Sequence, residues 1–193
     1  MSNITISLMQ KNEAKKAAKV LSLAMLDNPL HQAVFLGSGE QERLEIEAMF
    51  DDLLTQRPGI VFLAKEERDI VGVMRMNSCS GRDLPDGPPE FDGKMDIRWR
   101  KFVWLREWAL KDPKELHWHL GPIGVLPSHR RLGIGSSLMQ RFCNEVDACA
   151  ATAYLETDRD ENVLFYELFG FEIIARSQVF DVENRYMQRE ARP

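Results

Sequence analysis

Val125-Leu-Pro-Ser-His-Arg-Arg-Leu-Gly-Ile-Gly135, running on into Ser136-Ser-Leu-Met-Gln-Arg-Phe142, decides the reading of this chain. An apolar strand stops at Pro127, a basic turn follows, and Gly133 and Gly135 open a helix whose apolar residues recur at helical spacing. Glycine lets the backbone approach a ligand closely and adopt conformations that a Cβ forbids. The free N–H groups and positive end of the helix suit an anion, a pyrophosphate above all. Arg130 and Arg131 add charge at the same place. The stretch therefore predicts a ligand that carries a diphosphate.

Two familiar phosphate-binding designs fit poorly. Glu156 lies 21 residues beyond Gly135, as a ribose-binding acid would in a dinucleotide fold. The third glycine of that fingerprint is replaced by Leu138, and the 37 residues after Glu156 are too few for a second mononucleotide-binding half. No Gly-Lys-Ser/Thr follows the turn, as a P-loop requires.

Outward from the turn, the sequence predicts strands at 4–9, 60–64, 70–76, 116–125, 152–156, about 171–180 and 185–188. Helices are predicted from Ala14 to Met25, about Gln41 to Thr55, Gly135 to about Ala150 and Asn162 to Phe169. Asn28-Pro29 reads as the end of the first helix or a turn after it. The polar run Lys65–Asp69 makes 60–76 an antiparallel hairpin. Residues 81–94 are rich in glycine and proline and read as an irregular loop. The aromatic, basic stretch 97–108 follows, with Trp104 and Trp108 four residues apart; it serves helical packing or lines a pocket. Early strands, a later strand–helix–strand unit and hairpins at both ends indicate an α/β mixed sheet with helices on its faces.

Composition bounds the rest. The chain has 193 residues, 44% hydrophobic and 28% charged, enough for one domain with a sizeable core. A net charge of −5 argues against nucleic acid as a general partner. No apolar run approaches the roughly 20 residues of a membrane span, and the first residues lack a signal peptide's basic start, so a cytoplasmic location is expected. Cys79, Cys143 and Cys149 read as reduced thiols, chiefly small buried hydrophobes. In His117-Trp-His119 both imidazoles share one strand face, but the sequence offers no third ligand, so no metal is expected.

Taken together, the turn and a second motif resemble the GNAT acetyltransferase superfamily. Arg130-Arg-Leu-Gly133-Ile-Gly135 matches that family's cofactor motif, preceded by the apolar strand end Ile123-Gly-Val-Leu-Pro127. About 30 residues on, Asn162-Val-Leu-Phe-Tyr166-Glu-Leu-Phe-Gly170-Phe171 matches its second motif in order and separation. The likeness is close over residues 114–188 and one of pattern before that. Trp118-x-Leu120, Gly124-Val125-x-Pro127, Leu155-Glu156-Thr157 and Phe165-Tyr166 look similar to puromycin N-acetyltransferases.

The resemblance implies a GNAT acyltransferase fold: one domain spanning 1–193, a mostly antiparallel sheet, and a splayed central parallel strand pair. Residues 1–115 would supply the first strands, helices and acceptor loop, and 116–193 the acetyl-CoA-binding half. Acetyl-CoA would be the co-substrate and a small amine the acceptor, with direct transfer of the acetyl group; a protein or peptide amine as acceptor, or a non-catalytic acyl-CoA-binding module on the same fold, are the alternatives. Ile123, Gly124 and Val125 would pair with the pantetheine arm. Arg130, Arg131, Leu132, Gly133, Ile134, Gly135 and Ser136 would cradle the pyrophosphate, with the side chains of Arg131, Leu132 and Ile134 mattering less than the glycines. Tyr166 matches the acid that protonates the leaving thiolate; packing with Phe165 and Phe169 is the other use for it. Two residues stand as candidate general bases, beside the alternative that solvent deprotonates the amine with no dedicated base. His119 falls where histone acetyltransferases place a Glu and serotonin N-acetyltransferases a His. Glu156 matches a Glu of the puromycin-type members, which carry an aromatic residue at position 119. Asn162 would hold the pantetheine or cap its helix. His117 is expected at the rim, and Asp83, Asp86 and Glu90 as a solvated loop rather than a cation site. Dimers are common in the superfamily, and the sequence demonstrates none.

Overall fold

The computed structural model describes residues 4–90 and 93–191. Along the chain come β1 (Ile4–Leu8), α1 (Ala14–Met25), α2 (Pro29–Phe35), α3 (Glu40–Gln56), β2 (Ile60–Glu66) and β3 (Asp69–Cys79). After the loop come α4 (Ile97–Lys111), β4 (His117–Val125), α5 (Ile134–Ala148), β5 (Ala153–Thr157), α6 (Asp160–Glu167), β6 (Glu172–Val179) and β7 (Val182–Arg189). The seven strands form one sheet in the order β1-β2-β3-β4-β5-β7-β6. Of its six pairings only β4–β5 is parallel.

Alternation along the strands divides the interior in two. Phe62, Ala64, Met74 and Met76 join Leu138, Phe142 and Val146 of α5, with Val163 and Tyr166 of α6, in one cluster. Val61, Leu63 and Val73 join Leu21 of α1, Val34 and Phe35 of α2, Phe50 of α3 and Trp104 of α4 in the other. The long apolar strands β2 and β3 are thus covered on both faces, as their nearly unbroken burial shows.

Asn28-Pro29 corrects the sequence reading, because it begins α2 rather than only ending α1. The Asn28 side chain accepts from the His31 amide at 2.8 Å, and Pro29 occupies the first helical position, where a missing N–H costs nothing. The stretch after the loop is helical as α4, whose start is capped by Asp96 accepting from the Trp99 amide at 3.0 Å. Trp104 is buried, with its ring 5.3 Å from that of His31 and 5.0 Å from that of Trp108. Packing therefore explains Trp104.

The feature that positions the site is the short reach of the parallel pairing. Strands β4 and β5 register only at Trp118↔Ala153 and His119↔Tyr154, and then part. From Leu120 to Val125 the β5-facing edge of β4 has no strand partner, whereas its other edge pairs with β3 through Gly72↔Val125. The expected splay is present, and the peptide bond Gly121–Pro122, cis here, lies within it.

Candidate active site

The turn after β4 is built around left-handed backbone. Arg131 has φ 63° and Gly133 φ 79°. An added Cβ at Gly133 would meet no neighbour within 4 Å, so conformation rather than crowding is what calls for glycine there. Gly133 caps α5, whose helix proper starts at Ile134, and Ser137 closes the first turn by donating its amide to the Gly133 carbonyl at 3.0 Å. The amides of Ile134, Gly135 and Ser136 are left as the first-turn donors with no partner inside the helix. A Cβ at Gly135 would lie 3.7 Å from Phe165, an ordinary contact, so the protein's own packing does not require glycine here.

Two residues of the turn, and Gly124 on β4 before it, have structural roles of their own. Ile134 is 2% exposed and part of the core, so its side chain matters as an anchor of α5. The Arg130 guanidinium is committed to Asp27 at 2.7 Å and to the Ala24 carbonyl at 2.9 Å, tying the turn to the end of α1. At Gly124 a Cβ would come within 2.9 Å of Ala24 Cβ, so glycine there is dictated by the close approach of α1 to β4. Arg131 and Leu132 are exposed.

At the mouth of the splay the structure brings the two base candidates into contact. Registered neighbours share a sheet face, so His119 on β4 sits on the same face as Tyr154 and Glu156 on β5. His119 Nε2 lies 2.8 Å from Glu156 Oε2, and the Glu156 side chain is 2% exposed. A third member went unrecognised in the sequence. Arg82, from the glycine-rich loop, sets Nη2 2.5 Å from Glu156 Oε1 and also touches His119 Nε2. Its guanidinium lies 5.5 Å from the Trp108 ring, so Trp108 both packs and borders the site. Arg82 stands 37 residues from His119 and 74 from Glu156, and no local pattern marks it out.

Burial holds the His119 imidazole below its ordinary pKa, and the Arg82 charge reinforces this, so the ring is neutral at pH 7. Burial alone would raise Glu156, but Arg82 and His119 outweigh it and keep the carboxyl ionised. His119 Nε2 faces both the Glu156 carboxylate and the Arg82 guanidinium, so this ring nitrogen is the one through which the three side chains are coupled. Tyr166 lies on α6, buried, and burial together with the Asp158 and Glu156 charges pushes its hydroxyl up. It is therefore protonated at neutral pH. Its ring packs against Phe165 and Phe171, so it is also a core residue.

Other expectations are corrected. Asn162 is the third residue of α6, not the cap that opens it; that place belongs to Arg159. His117 is 1% exposed, inside the fold rather than at a rim. Its Nε2 faces Cys79 Sγ at 3.4 Å and Asp112 Oδ1 at 3.7 Å. Of the cysteines only Cys143 is buried; Cys149 is exposed and Cys79 half-buried. Asp83, Asp86 and Glu90 are exposed on the loop. Among the described residues no helix is long and apolar enough to cross a membrane.

The sequence profile described as the acetyltransferase (GNAT) family matches residues 23–171. The chain belongs to that family. Solved structures share the fold at low identity. A Corynebacterium glutamicum protein described as histone acetyltransferase HPA2 and related acetyltransferase is 20% identical, with TM-score 0.70 over 100% of this chain and 99% of that one. A mosquito arylalkylamine N-acetyltransferase like 5b is 15% identical, with TM-score 0.73 over 97% and 100%. A GNAT acetyltransferase from Brucella melitensis, solved in complex with acetyl-CoA, is 14% identical, with TM-score 0.59 over 100% and 91%.

Proposed function

We propose that the protein transfers the acetyl group of acetyl-CoA directly to the primary amine of a small molecule in the cytoplasm. The observation that carries this reading is the parting of β4 from β5 beside the first turn of α5. The unpaired edge of β4 at Ile123, Gly124 and Val125 offers main-chain groups to the amides of a pantetheine arm. The donors from Arg130 to Ser136 receive the pyrophosphate, and Asn162 borders the arm from α6.

Chemistry then falls at the mouth of the cleft. The amine nitrogen attacks the thioester carbonyl, a C–N bond forms and the C–S bond breaks. The nitrogen's proton passes to the His119–Glu156 pair, and Tyr166 donates to the departing thiolate. Cys143 and Cys149, on α5 and at its end, lie away from this mouth, consistent with transfer that uses no acetyl-cysteine. Residues 1–193 form a single N-acetyltransferase domain in this reading, and a homodimer is compatible with it.

Thermal unfolding with acetyl-CoA, free CoA, NAD and ATP tests the assignment. A ligand at about 100 times its dissociation constant stabilises the native state by roughly 2.7 kcal/mol, several degrees for a domain of this size. A shift with both CoA forms and with neither NAD nor ATP is expected, followed by thiol release with an amine panel. A shift with NAD alone, or with none of the four, overturns the reading.

A further inference from the structure

Cys79 ends β3, His117 begins β4 and Asp112 caps the end of α4. One donor atom from each lies within 4.8 Å of the other two. These residues serve none of the acetyl-transfer roles above, and the pairing they give Asp112 is long: Arg82 Nε stands at 3.9 Å and His117 Nε2 at 3.7 Å. The Asp112 side chain is fully buried, and neither of its carboxylate oxygens has a hydrogen-bond partner. Arg82 Nε approaches one oxygen only to 3.9 Å while the same guanidinium is bonded to Glu156. A buried ionised carboxylate without hydrogen bonds is expensive unless a cation meets it.

The imidazole is set for coordination. His117 Nδ1 lies 2.9 Å from the Glu115 carbonyl, which fixes Nδ1–H and leaves Nε2 as the ring nitrogen aimed at Cys79 and Asp112. A cysteine–histidine–aspartate proton relay is excluded by the same contact, since Asp112 and Cys79 lie on the same ring nitrogen. Tetrahedral zinc with typical bond lengths sets its nitrogen and sulfur about 3.6 Å apart and its nitrogen and oxygen about 3.4 Å apart. The observed separations are 3.4 Å and 3.7 Å. The mixed sulfur, nitrogen and oxygen set suits a borderline-soft ion and disfavours magnesium or calcium.

We propose that Cys79 Sγ, His117 Nε2 and the Asp112 carboxylate bind one zinc ion, with a fourth position open to water. The thiolate and carboxylate offset the ion's two charges, and the thiol proton and the His117 Nε2 proton leave to solvent on binding. The site joins the residue before the 80–96 loop to the end of the helix after it, so the ion fixes the base from which Arg82 reaches the catalytic mouth. The role is structural, and the inference does not depend on the acetyl-transfer reading.

Cobalt(II) titrated into the purified, metal-stripped protein supplies the test. One equivalent should give a sulfur-to-cobalt charge-transfer band and visible absorption of tetrahedral intensity. Both should be lost in Cys79→Ser and kept in Cys149→Ser. In the wild-type chain, added zinc should protect Cys79, and not Cys149, from iodoacetamide, read by mass spectrometry. No sulfur-to-cobalt band in the wild type, a band that survives Cys79→Ser, or unprotected Cys79 overturns the site.

Discussion

Tyr166 can serve the proposed reaction only as an acid, because burial and two neighbouring carboxylates hold its hydroxyl protonated. Tyr166→Phe keeps the ring packing against Phe165 and Phe171 and removes only the proton. Turnover should fall on the order of 10²-fold while acetyl-CoA affinity stays unchanged, measured by steady-state kinetics beside calorimetry. Equal turnover would take Tyr166 out of the mechanism. The opposite side of the mouth works as a set of three, since Arg82, His119 and Glu156 are in mutual contact. His119 and Glu156 could be proposed from the sequence because motifs stand beside them. Arg82, like the Cys79–Asp112–His117 cluster, depends on contacts between distant segments, and one chain's residue order does not contain those. The buried Asp112 carried no local sign at all.

At the scale of elements, α5 and its turn were the most legible part of the chain, since glycine spacing, the apolar strand before it and helical periodicity agree. Within the turn the two glycines have different grounds. Gly133 needs left-handed backbone, whereas Gly135 has room for a Cβ within the protein alone. A valine at 133 would be β-branched in a conformation it strongly avoids. Gly133→Val should therefore lower acetyl-CoA affinity sharply and destabilise α5; an unchanged dissociation constant by calorimetry would dismiss the turn as the pyrophosphate cradle. Helix α2 was illegible for a physical reason. Asn-Pro serves equally to stop a helix and to start one, and what decided it was Asp158, 128 residues away, receiving the Leu30 amide at 2.8 Å.

At the scale of the molecule, the α/β class and the splayed parallel pair could be expected from the sequence, while the layering of α1–α4 on one face follows from tertiary burial. That helical layer contains an ionisable group held neutral. His31 is buried among Phe35, Phe50 and Trp104, and burial lowers its pKa to about 4. The unfolded chain takes up this proton near 6.5, the folded one not until about 4. Stability is therefore full above pH 6.5 and falls as pH drops towards 4, by roughly 2–3 kcal/mol from this group between pH 7 and 4.5. Urea unfolding at those two pH values should show a smaller loss in His31→Leu than in the wild type; equal losses would clear His31. The brief β4–β5 pairing bears finally on how the chain comes to be assembled. Strands β1 to β4 join in chain order, each to the one before it, so a nascent chain can build that half as it emerges. The later half orders its strands β5-β7-β6, so β7 inserts between two strands that precede it in the chain. The two halves of the sheet are therefore laddered through two residue pairs only, and one shared core, from Phe62 and Met74 to Leu155 and Met187, holds them together on either side of the cleft.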